Sequence, residues 1–258
     1  MNILDTIIAH KKIEVVERKK IISESELKNT INFNKTCFSL ISSLSKETTT
    51  GIIAEFKRKS PSKGFINEFA DVTEITKGYA SLGAAGLSVL TDNTFFGGST
   101  KDLIAASANK IPILRKDFII DKYQIAEAKS MGADVILLIA ACLSKNDVKL
   151  LASYAVSLGL EVLLELHNET ELNHICDDTI LIGVNNRNLK DFTVDINASI
   201  EMSKLIPNSK IKIAESGINS TEILKTFKNA GFKGFLIGEN FMKESNTVLA
   251  FDNFVKNI

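Results

Sequence analysis

The chain has 258 residues, of which 45% are hydrophobic and 24% are charged, as is ordinary for a globular protein. Its 31 basic and 31 acidic residues cancel, which excludes a whole-molecule attraction to nucleic acid or to an anionic membrane. No apolar run approaches the roughly 18 residues of a membrane span, and three cysteines without metal-ligand spacing favour a reducing compartment. We therefore expect a cytoplasmic protein without a metal site, a membrane anchor or a nucleic-acid partner.

Residues 1–48 are predicted to form a helical extension. Apolar residues interrupted by charge recur at helical spacing over 2–20, which predicts an amphipathic helix rather than a signal peptide. A second helix should begin at Ser23, because Ser23 and Glu26 have the spacing of a capping box. Fewer than about 50 residues make a poor independent core, so the extension should pack on the following domain or on a neighbouring copy.

After residue 50, short apolar runs alternate with longer amphipathic segments. The eight runs, each interpreted as a buried strand, are 52–56, 87–90, 112–114, 135–140, 162–166, 180–184, 211–214 and 235–237. The helical segments between them include 72–82, 121–131, 145–158 and 220–230. Glycine follows each of these four segments, as suits a left-handed helix cap.

Strand–helix alternation repeated eight times predicts an α/β protein whose parallel sheet closes into a (β/α)8 TIM barrel. Residues 1–258 should then form a single domain that includes the N-terminal extension. A doubly wound open sheet is the alternative. That fold usually carries a glycine-rich turn after its first strand, where this chain has Lys-Arg-Lys-Ser-Pro-Ser-Lys-Gly at 57–64.

Charged and polar residues gather where the predicted strands end, which is where barrels of this kind carry their chemistry. Glu55 and Lys57 lie two residues apart at the end of the first strand and therefore share a face. A core strand gains nothing from a desolvated charge pair, whereas acid–base catalysis needs charges that shift one another's pKa. The other strand-end candidates are Lys116, Glu165, His167, Asn185, Arg187 and Glu215.

The seventh and eighth strands end in glycine-containing turns. Ser216 and Gly217 follow the seventh strand, and Gly238 and Glu239 follow the eighth. In many barrels these two loops hold a phosphate through backbone N–H groups, and glycine lets the backbone approach the anion closely. We expect a phosphate site here, with two ordinary tight turns as the alternative.

Six sequence blocks, in this order along the chain, resemble the indole-3-glycerol phosphate synthase family. They are Glu-Phe-Lys-Arg-Lys-Ser-Pro-Ser-Lys-Gly at 55–64, Leu-Thr-Asp and Phe-Phe-Gly-Gly-Ser within 90–99, Ile-Leu-Arg-Lys-Asp-Phe-Ile-Ile-Asp at 113–121, Leu-Leu-Glu-Leu-His-Asn-Glu at 163–169, Ile-Gly-Val-Asn-Asn-Arg-Asn-Leu at 182–189 and Ala-Glu-Ser-Gly-Ile at 214–218. The resemblance covers essentially the whole chain and departs from the family at no candidate catalytic position.

The resemblance implies a reaction, a substrate and the absence of a cofactor. The substrate would be a phosphorylated small molecule, 1-(o-carboxyphenylamino)-1-deoxyribulose 5-phosphate. It would close a five-membered ring, lose carbon dioxide and then lose water, giving indole-3-glycerol phosphate for tryptophan biosynthesis. The N-terminal extension would cover the top of the barrel.

Within that reaction we expect five catalytic residues. Lys116 would protonate the ketone oxygen during ring closure, with its pKa lowered by burial or by neighbouring charge. Glu165 and Lys57 would serve as the acid and the base of dehydration, and which does which stays open. Glu55 would orient the lysines, and Asn185 would hydrogen-bond substrate hydroxyl groups.

The remaining positions are expected to bind the substrate. The substrate-binding candidates are Ser60, Phe96, Phe118, Arg187 and Glu215. Phe96 is either a core residue or a side chain that flanks the substrate's ring. Arg187 either meets an anionic group or braces Glu215. His167, although it follows the fifth strand, is expected to have a structural or surface role.

Two other functions fit part of these features. An isomerase or aldolase barrel would also bind a phosphosugar, but an aldolase needs a Schiff-base lysine in an apolar setting. Lys57 and Lys116 instead have the acidic residues Glu55 and Asp117 close in sequence. A non-catalytic barrel would bind a phosphorylated ligand without turnover. For assembly, we expect a monomer or a weak homo-oligomer.

Overall fold

The computed structural model describes residues 3–46, 48–187 and 193–258, and in them eight parallel strands close into a barrel. The barrel strands are β1 (Ile52–Phe56), β2 (Gly86–Leu90), β3 (Ile113–Lys116), β4 (Val135–Ile139), β5 (Glu161–Leu166), β6 (Leu181–Asn185), β7 (Ile211–Glu215) and β8 (Gly234–Ile237). Each strand pairs with the next in the chain, and β8 pairs with β1 to close the ring. The predicted (β/α)8 TIM barrel is confirmed.

Helices precede the barrel and surround it. The extension contains α1 (Ile3–Ile21), α2 (Glu24–Lys28) and α3 (Leu40–Leu44), and the later helices are α4 (Val72–Ser81), α5 (Asn93–Phe96), α6 (Thr100–Ala106), α7 (Lys122–Met131), α8 (Lys145–Ser157), α9 (Ile196–Ser203), α10 (Thr221–Asn229), α11 (Glu239–Met242) and α12 (Thr247–Val255). After β5 a 3-10 segment, Glu169–His174, stands in place of a longer helix. No helix in the described part of the chain is both long and apolar enough to cross a membrane.

The helix boundaries follow the local signals in the sequence. Ser23 and Glu26 form the expected capping box at the start of α2. The four glycines expected to follow helices all have positive φ angles, between 76° and 92°: Gly83, Gly132, Gly159 and Gly231. These residues adopt the left-handed conformation that a side chain would disfavour. Met1 and Asn2, at the start of the first predicted helix, lie outside the described residues.

The third strand extends further than the apolar run that predicted it. It was expected at 112–114 but runs over Ile113–Lys116, so that two cationic residues lie inside it. Both cations fit within the strand because successive side chains of a strand point to opposite faces. Lys116 contacts Glu165 inside the barrel, whereas Arg115 is buried on the opposite face and contacts Glu127 of α7.

The inside of the barrel is layered. A lower apolar layer takes side chains from seven strands, namely Ile53, Leu114, Leu137, Leu163, Leu181, Ile213 and Leu236. Leu40 and Leu44 of α3 pack against this layer and close the N-terminal end of the barrel. Two residues further along six of those strands, on the same face, stand Glu55, Lys116, Glu165, Gly183, Glu215 and Gly238. The apolar floor thus supports a ring of charged groups and glycines.

The extension packs on the barrel of its own chain. Val15 of α1 and Leu27 of α2 form a buried cluster with Tyr123 and Ala126 of α7. The Tyr123 hydroxyl donates to the backbone carbonyl of Ile22 at 2.9 Å. This packing places the first turns of α1 over the C-terminal end of the barrel, while α3 lies at the opposite end.

Candidate active site

A cavity of about 540 Å³ opens at the C-terminal end of the barrel strands. Its size is within the usual range for small-molecule sites. All of the residues that the sequence nominated for catalysis, substrate binding and phosphate binding line this one cavity, namely Glu55, Lys57, Ser60, Phe96, Lys116, Phe118, Glu165, Asn185, Arg187, Glu215, Ser216, Gly217, Gly238 and Glu239. The barrel therefore brings together side chains from strands that are far apart in sequence.

Lys116 is the central cation of the site. Its Nζ lies 2.6 Å from Glu165 Oε2 and 2.9 Å from Glu215 Oε2. Burial alone would lower the pKa of Lys116, but Glu165, Glu215 and Glu55 outweigh it and hold the pKa above its ordinary value. The expected lowering of the Lys116 pKa is thus wrong, because the nearby carboxylates stabilise the ammonium more than burial penalises it. Lys116 is a protonated group in this cavity.

Glu165 is an anion held by donors from three elements. Lys116 Nζ contacts Oε2, Asn185 Nδ2 donates to Oε1 at 2.9 Å, and His167 Nε2 lies 3.1 Å from Oε1. Burial raises the pKa of Glu165, but Lys116 and His167 outweigh it and bring the pKa well below its usual range. Asn185, which was expected to bind substrate hydroxyl groups, donates to this carboxylate in the unliganded structure.

Glu215 has the opposite electrostatic character. Burial and the nearby Glu165 carboxylate raise its pKa, Lys116 opposes them, and the net value is about 7. Its Oε1 is buried without a hydrogen-bond partner among the described residues. That oxygen lies directly over Gly183, where a Cβ atom would overlap it. The site thus pairs an ionised carboxylate with one that is ready to accept a proton near neutral pH.

A second ion pair lies on β1. Lys57 Nζ is 2.8 Å from Glu55 Oε1, and Ser88 Oγ donates to Glu55 Oε2 at 3.4 Å. The expectation that Glu55 orients both lysines holds as a direct contact for Lys57 only, because Glu165 and Glu215 take the direct contacts of Lys116. Glu55 packs over Gly238, where a Cβ would lie 2.6 Å from Oε1.

Arg187 lies at the edge of the cavity. Its Nη2 is 3.6 Å from Glu239 Oε2, and its backbone N–H donates to Asn185 Oδ1 at 3.1 Å. The expected alternative in which Arg187 braces Glu215 is not the arrangement observed, because Lys116 is the partner of Glu215. Asn188 and Leu189, which belong to the same sequence block, lie outside the described residues.

The turn after β7 has an unusual backbone. Ser216 has a φ of 68° and Gly217 a φ of 72°, and Ser216 is the one non-glycine residue with positive φ in the described part of the chain. The left-handed conformation costs a residue with a side chain about 1 kcal/mol or more. Asn186 Nδ2 donates to the Ser216 carbonyl at 2.6 Å and holds the turn in place. Held strain of this kind is typical of a functional turn.

An apolar wall faces the charged groups. The rings of Phe96 and Phe118 lie 6.0 Å apart, and both line the cavity, so Phe96 is not a core residue. The other apolar lining residues include Ile3, Leu4 and Ile7 of α1 together with Leu137, Ile139 and Leu236 of the barrel. Helix α1 thus provides part of the surface that a planar apolar ligand would contact.

Sequence reasoning missed the contribution of Lys11. This lysine of α1 is buried, and its Nζ lies 2.9 Å from Asp92 Oδ2 and 2.9 Å from Asp117 Oδ1, at the ends of β2 and β3. It therefore ties α1 to the rim of the cavity. The sequence pattern of an amphipathic helix predicts that Lys11 is solvent-exposed, and its acidic partners are identified only by the packing of α1 on the barrel.

His167, which was expected to have a structural or surface role, does not lie on the surface. Its side chain is buried beside Glu165 and lines a second cavity next to the first. A signal was available in the sequence, since His167 follows Glu165 by two residues and shares its face.

The comparison with known sequences agrees with this geometry. The family model described as indole-3-glycerol phosphate synthase matches residues 4–254. The indole-3-glycerol phosphate synthase of Bacteroides thetaiotaomicron is 46% identical over 258 residues, which cover 100% of this chain and 99% of that protein. The indole-3-glycerol phosphate synthase of Bacillus cereus is 44% identical over 259 residues, which cover 99% of each protein.

Solved structures of other proteins share the fold at low identity. Native KDPGal superimposes with a TM-score of 0.57 at 15% identity, over 81% of this chain and 93% of that one. Thiamine phosphate pyrophosphorylase from Pyrococcus furiosus does so with a TM-score of 0.58 at 11% identity, over 80% and 95%. These similarities concern the barrel alone. The full-length match to the family model and to its relatives goes further, and the chain belongs to the indole-3-glycerol phosphate synthase family.

Proposed function

We propose that this chain converts 1-(o-carboxyphenylamino)-1-deoxyribulose 5-phosphate into indole-3-glycerol phosphate by ring closure, decarboxylation and dehydration. The observation that carries the proposal is the Lys116 ammonium, held between Glu165 and Glu215 on the floor of an otherwise largely apolar cavity. Family membership over residues 4–254 supports the same reaction. The activity belongs to tryptophan biosynthesis.

Lys116 is the acid of ring closure. The aromatic carbon that bears the carboxylate attacks the ketone carbon, and the ketone oxygen takes a proton as the new carbon–carbon bond forms. A positioned ammonium supplies that proton and stabilises the developing oxyanion. Glu165 and Glu215 hold Lys116 protonated in the absence of substrate. When substrate displaces a carboxylate contact, the ammonium becomes a stronger acid.

Decarboxylation follows from the chemistry of the intermediate. After the attack the anilino nitrogen is an iminium, and it accepts the electron pair that the departing carbon dioxide leaves behind. Phe96 and Phe118, with the apolar residues of α1, would enclose the ring and keep water from the carboxylate. Exclusion of water favours the loss of a charged carboxylate as neutral carbon dioxide.

Dehydration completes the aromatic indole. The hydroxyl group formed from the ketone leaves with a proton, and the ring gives up a proton to a base. Lys57 and Glu165 divide the acid and base roles of this step between them, since both line the same cavity. Glu55 holds Lys57 at 2.8 Å, and Asn185 holds Glu165 at 2.9 Å.

The phosphate and carboxylate groups of the substrate would bind to different residues of the cavity. The backbone of Ser216, Gly217, Gly238 and Glu239 would take the phosphate, and the Glu239 side chain stays engaged with Arg187. Arg187 and Lys57 would meet the remaining negative charge of the substrate. Ser60 is buried at the cavity wall and can donate its hydroxyl group.

An aldolase mechanism is the enzymatic alternative, and the environment of Lys116 argues against it. A Schiff base requires a neutral amine, whereas the flanking carboxylates keep this lysine protonated. Borohydride treatment in the presence of a ketose phosphate should therefore leave the mass of the protein unchanged.

The direct test is to add the purified protein to 1-(o-carboxyphenylamino)-1-deoxyribulose 5-phosphate and to follow indole fluorescence. Lys116→Ala should fold and lose about 100-fold or more in turnover, because it removes a general acid. Lys204→Ala, which removes a solvent-exposed lysine paired with Glu201, is the matched control and should keep normal turnover.

The outcomes of this test separate the alternatives. Turnover by both lysine variants would keep the reaction and discard the role of Lys116. Binding of the phosphorylated substrate by the folded wild-type protein without turnover would favour a non-catalytic barrel.

We also infer that residues 1–258 fold as one domain that acts in the cytoplasm as a monomer or a weak homo-oligomer. The packing of α1 and α2 on α7 supports the single domain, and three free cysteines are in keeping with a reducing compartment. Light scattering should give a mass near 28.3 kDa at low concentration. Unfolding followed by two probes should show one coincident transition.

A further inference from the structure

His167 lies between two carboxylates. Its Nε2 is 3.1 Å from Glu165 Oε1, and its Nδ1 is 3.6 Å from Glu171 Oε2. The side chain is buried, and both ring nitrogens are shielded from solvent. Neither makes a hydrogen bond of good geometry to a described residue, so the two carboxylates are the charged groups in contact with them. Each nitrogen therefore faces an acceptor and only an acceptor.

This arrangement selects the charged form of the ring. A neutral imidazole has one N–H donor and one lone pair, so one of its nitrogens would direct a lone pair at a carboxylate. The imidazolium ion carries a proton on both nitrogens and can face both carboxylates favourably. The structure thus places a cation on the side of Glu165 opposite to Lys116.

Glu171 is itself fixed in position. Its Oε2 accepts the backbone N–H of His167 at 2.7 Å, and its Oε1 accepts Asn168 Nδ2 at 2.7 Å. It belongs to the 3-10 segment that follows β5, and the side chain of Asn168 caps the start of that segment.

We infer that His167 is a positioning residue whose imidazolium, anchored by Glu171, fixes the orientation and the ionised state of Glu165 for the proposed reaction. The inference rests on the proposed function and extends it to a residue that does not contact the reacting atoms. Glu165 then receives Lys116 on one oxygen, and Asn185 and His167 on the other.

The surrounding charges agree with this assignment. The carboxylates in contact with the imidazole are Glu165 on β5 and Glu171 on the 3-10 segment, and the carboxylates of Glu169 and Asp195 line the same second cavity. Lys116 and Glu215 adjoin Glu165 on its other side. Burial lowers the pKa of His167, but Glu165 and Glu171 outweigh it and raise the pKa to about 9. Burial and the same two carboxylates raise the pKa of Cys142 to about 12, so its thiol stays neutral.

The test compares the pH dependence of kcat for wild type and His167→Gln. Glutamine keeps one neutral donor but cannot carry the positive charge. We expect kcat to fall about ten- to a hundred-fold with little change in KM, as for the loss of a buried cation 3.1 Å from Glu165. The acidic limb of the profile should move up by about one pKa unit, because Glu165 loses a neighbouring cation. The alkaline limb near pH 9 should disappear.

Two further variants separate positioning from general support of the fold. His174→Gln is the matched control, because His174 lies in the same 3-10 segment but its ring nitrogens hydrogen-bond to the backbone carbonyls of Glu171 and Leu143 and, among the described residues, form no ion pair. Its pH profile should keep the wild-type shape. Glu171→Gln should move the alkaline limb to lower pH, since His167 loses one of its two anions, and this variant serves if His167→Gln does not fold.

The titration of His167 can also be followed without substrate. Its ring-proton NMR signal, assigned by its loss in His167→Gln, should titrate above the ordinary histidine pKa in wild type and at lower pH in Glu165→Gln and Glu171→Gln. If the wild type has no turnover, the proposed function fails while this titration still decides the ion pairs. An unperturbed titration, or pH profiles of the same shape in wild type and His167→Gln, would overturn the inference.

Discussion

Two glycines of the barrel interior make room for the carboxylates of the active site. Gly183 and Gly238 leave the space over which the carboxylates of Glu215 and Glu55 pack. The interior of a TIM barrel is filled by layers of side chains from alternate strands. Because this space is limited, a large side chain on one strand needs a small residue on the neighbouring strand. Gly183 therefore determines how close Glu215 comes to Lys116.

Gly183→Ala should reduce kcat about 100-fold, because its Cβ would overlap Glu215 Oε1 and displace that carboxylate from Lys116. Gly234→Ala is the matched control, since its Cβ would crowd Ile213 at 2.8 Å in the apolar layer, away from the carboxylates. Steady-state kinetics and urea denaturation of both variants measure the effect. Equal losses of kcat would show that crowding of the barrel, rather than the position of Glu215, is responsible.

At the scale of elements, the N-terminal helix is joined to the barrel rim by a network of buried charges. Lys11 reaches Asp92 and Asp117, while Arg115 contacts Asp117 and Glu127. Burial of ions is costly, and removal of one partner leaves the others uncompensated. Because α1 also lines the cavity, the network couples the packing of a helix to the shape of the site.

Lys11→Met should lower the free energy of unfolding by about 3 kcal/mol, because it leaves Asp92 without its buried cation. It should also raise KM, since the turn that carries Ile7 loses its attachment to the rim. Urea denaturation and steady-state kinetics measure the two effects. Lys20→Met, on the exposed face of the same helix, removes only a surface pair with Glu17 and should cost less than about 1 kcal/mol. If the two variants behave alike, the network does not anchor α1.

At the scale of the whole molecule, ionisable groups set opposing trends of stability with pH. Burial raises the pKa of Asp117, but Arg115 and Lys11 outweigh it and hold the pKa below its usual range. A depressed carboxyl pKa stabilises the fold above the unfolded value of about 4, and the contribution is lost as the pH falls through the folded value. Glu215 acts in the opposite sense, because its pKa of about 7 lowers stability as the pH rises from about 4 to 7.

Asp117→Asn isolates the first of these trends. At pH 7 the variant should be less stable than wild type by about 3 kcal/mol, because Lys11 and Arg115 lose a buried anion. The difference should shrink as the pH falls below about 4, because the Asp117 carboxyl takes up a proton there in the unfolded chain while it stays ionised in the folded protein. Urea denaturation of both proteins over a series of pH values provides the measurement. A difference that stays constant down to pH 2 would contradict the assigned ion pairs.

The sequence by itself determined the barrel and the central charged groups of the site. Eight apolar runs separated by amphipathic segments are a local property of the chain, and so is the placement of Glu55, Lys116, Glu165 and Glu215 at strand ends. The period of two along a strand then assigns each of these residues to a face. The strand positions and the faces of their residues can be predicted from the sequence because they depend on neighbours along the chain.

Only the tertiary structure decided which ionisable groups of the site pair with one another and which of them are charged. The ammonium of Lys116 stays protonated because strands 49 and 99 residues away supply Glu165 and Glu215, and no local pattern contains those distances. For the same reason the buried contacts of Lys11 and the particular residues of α1 that line the cavity could not be predicted. Pairing energies depend on separation and burial in space, which the closure of the barrel creates.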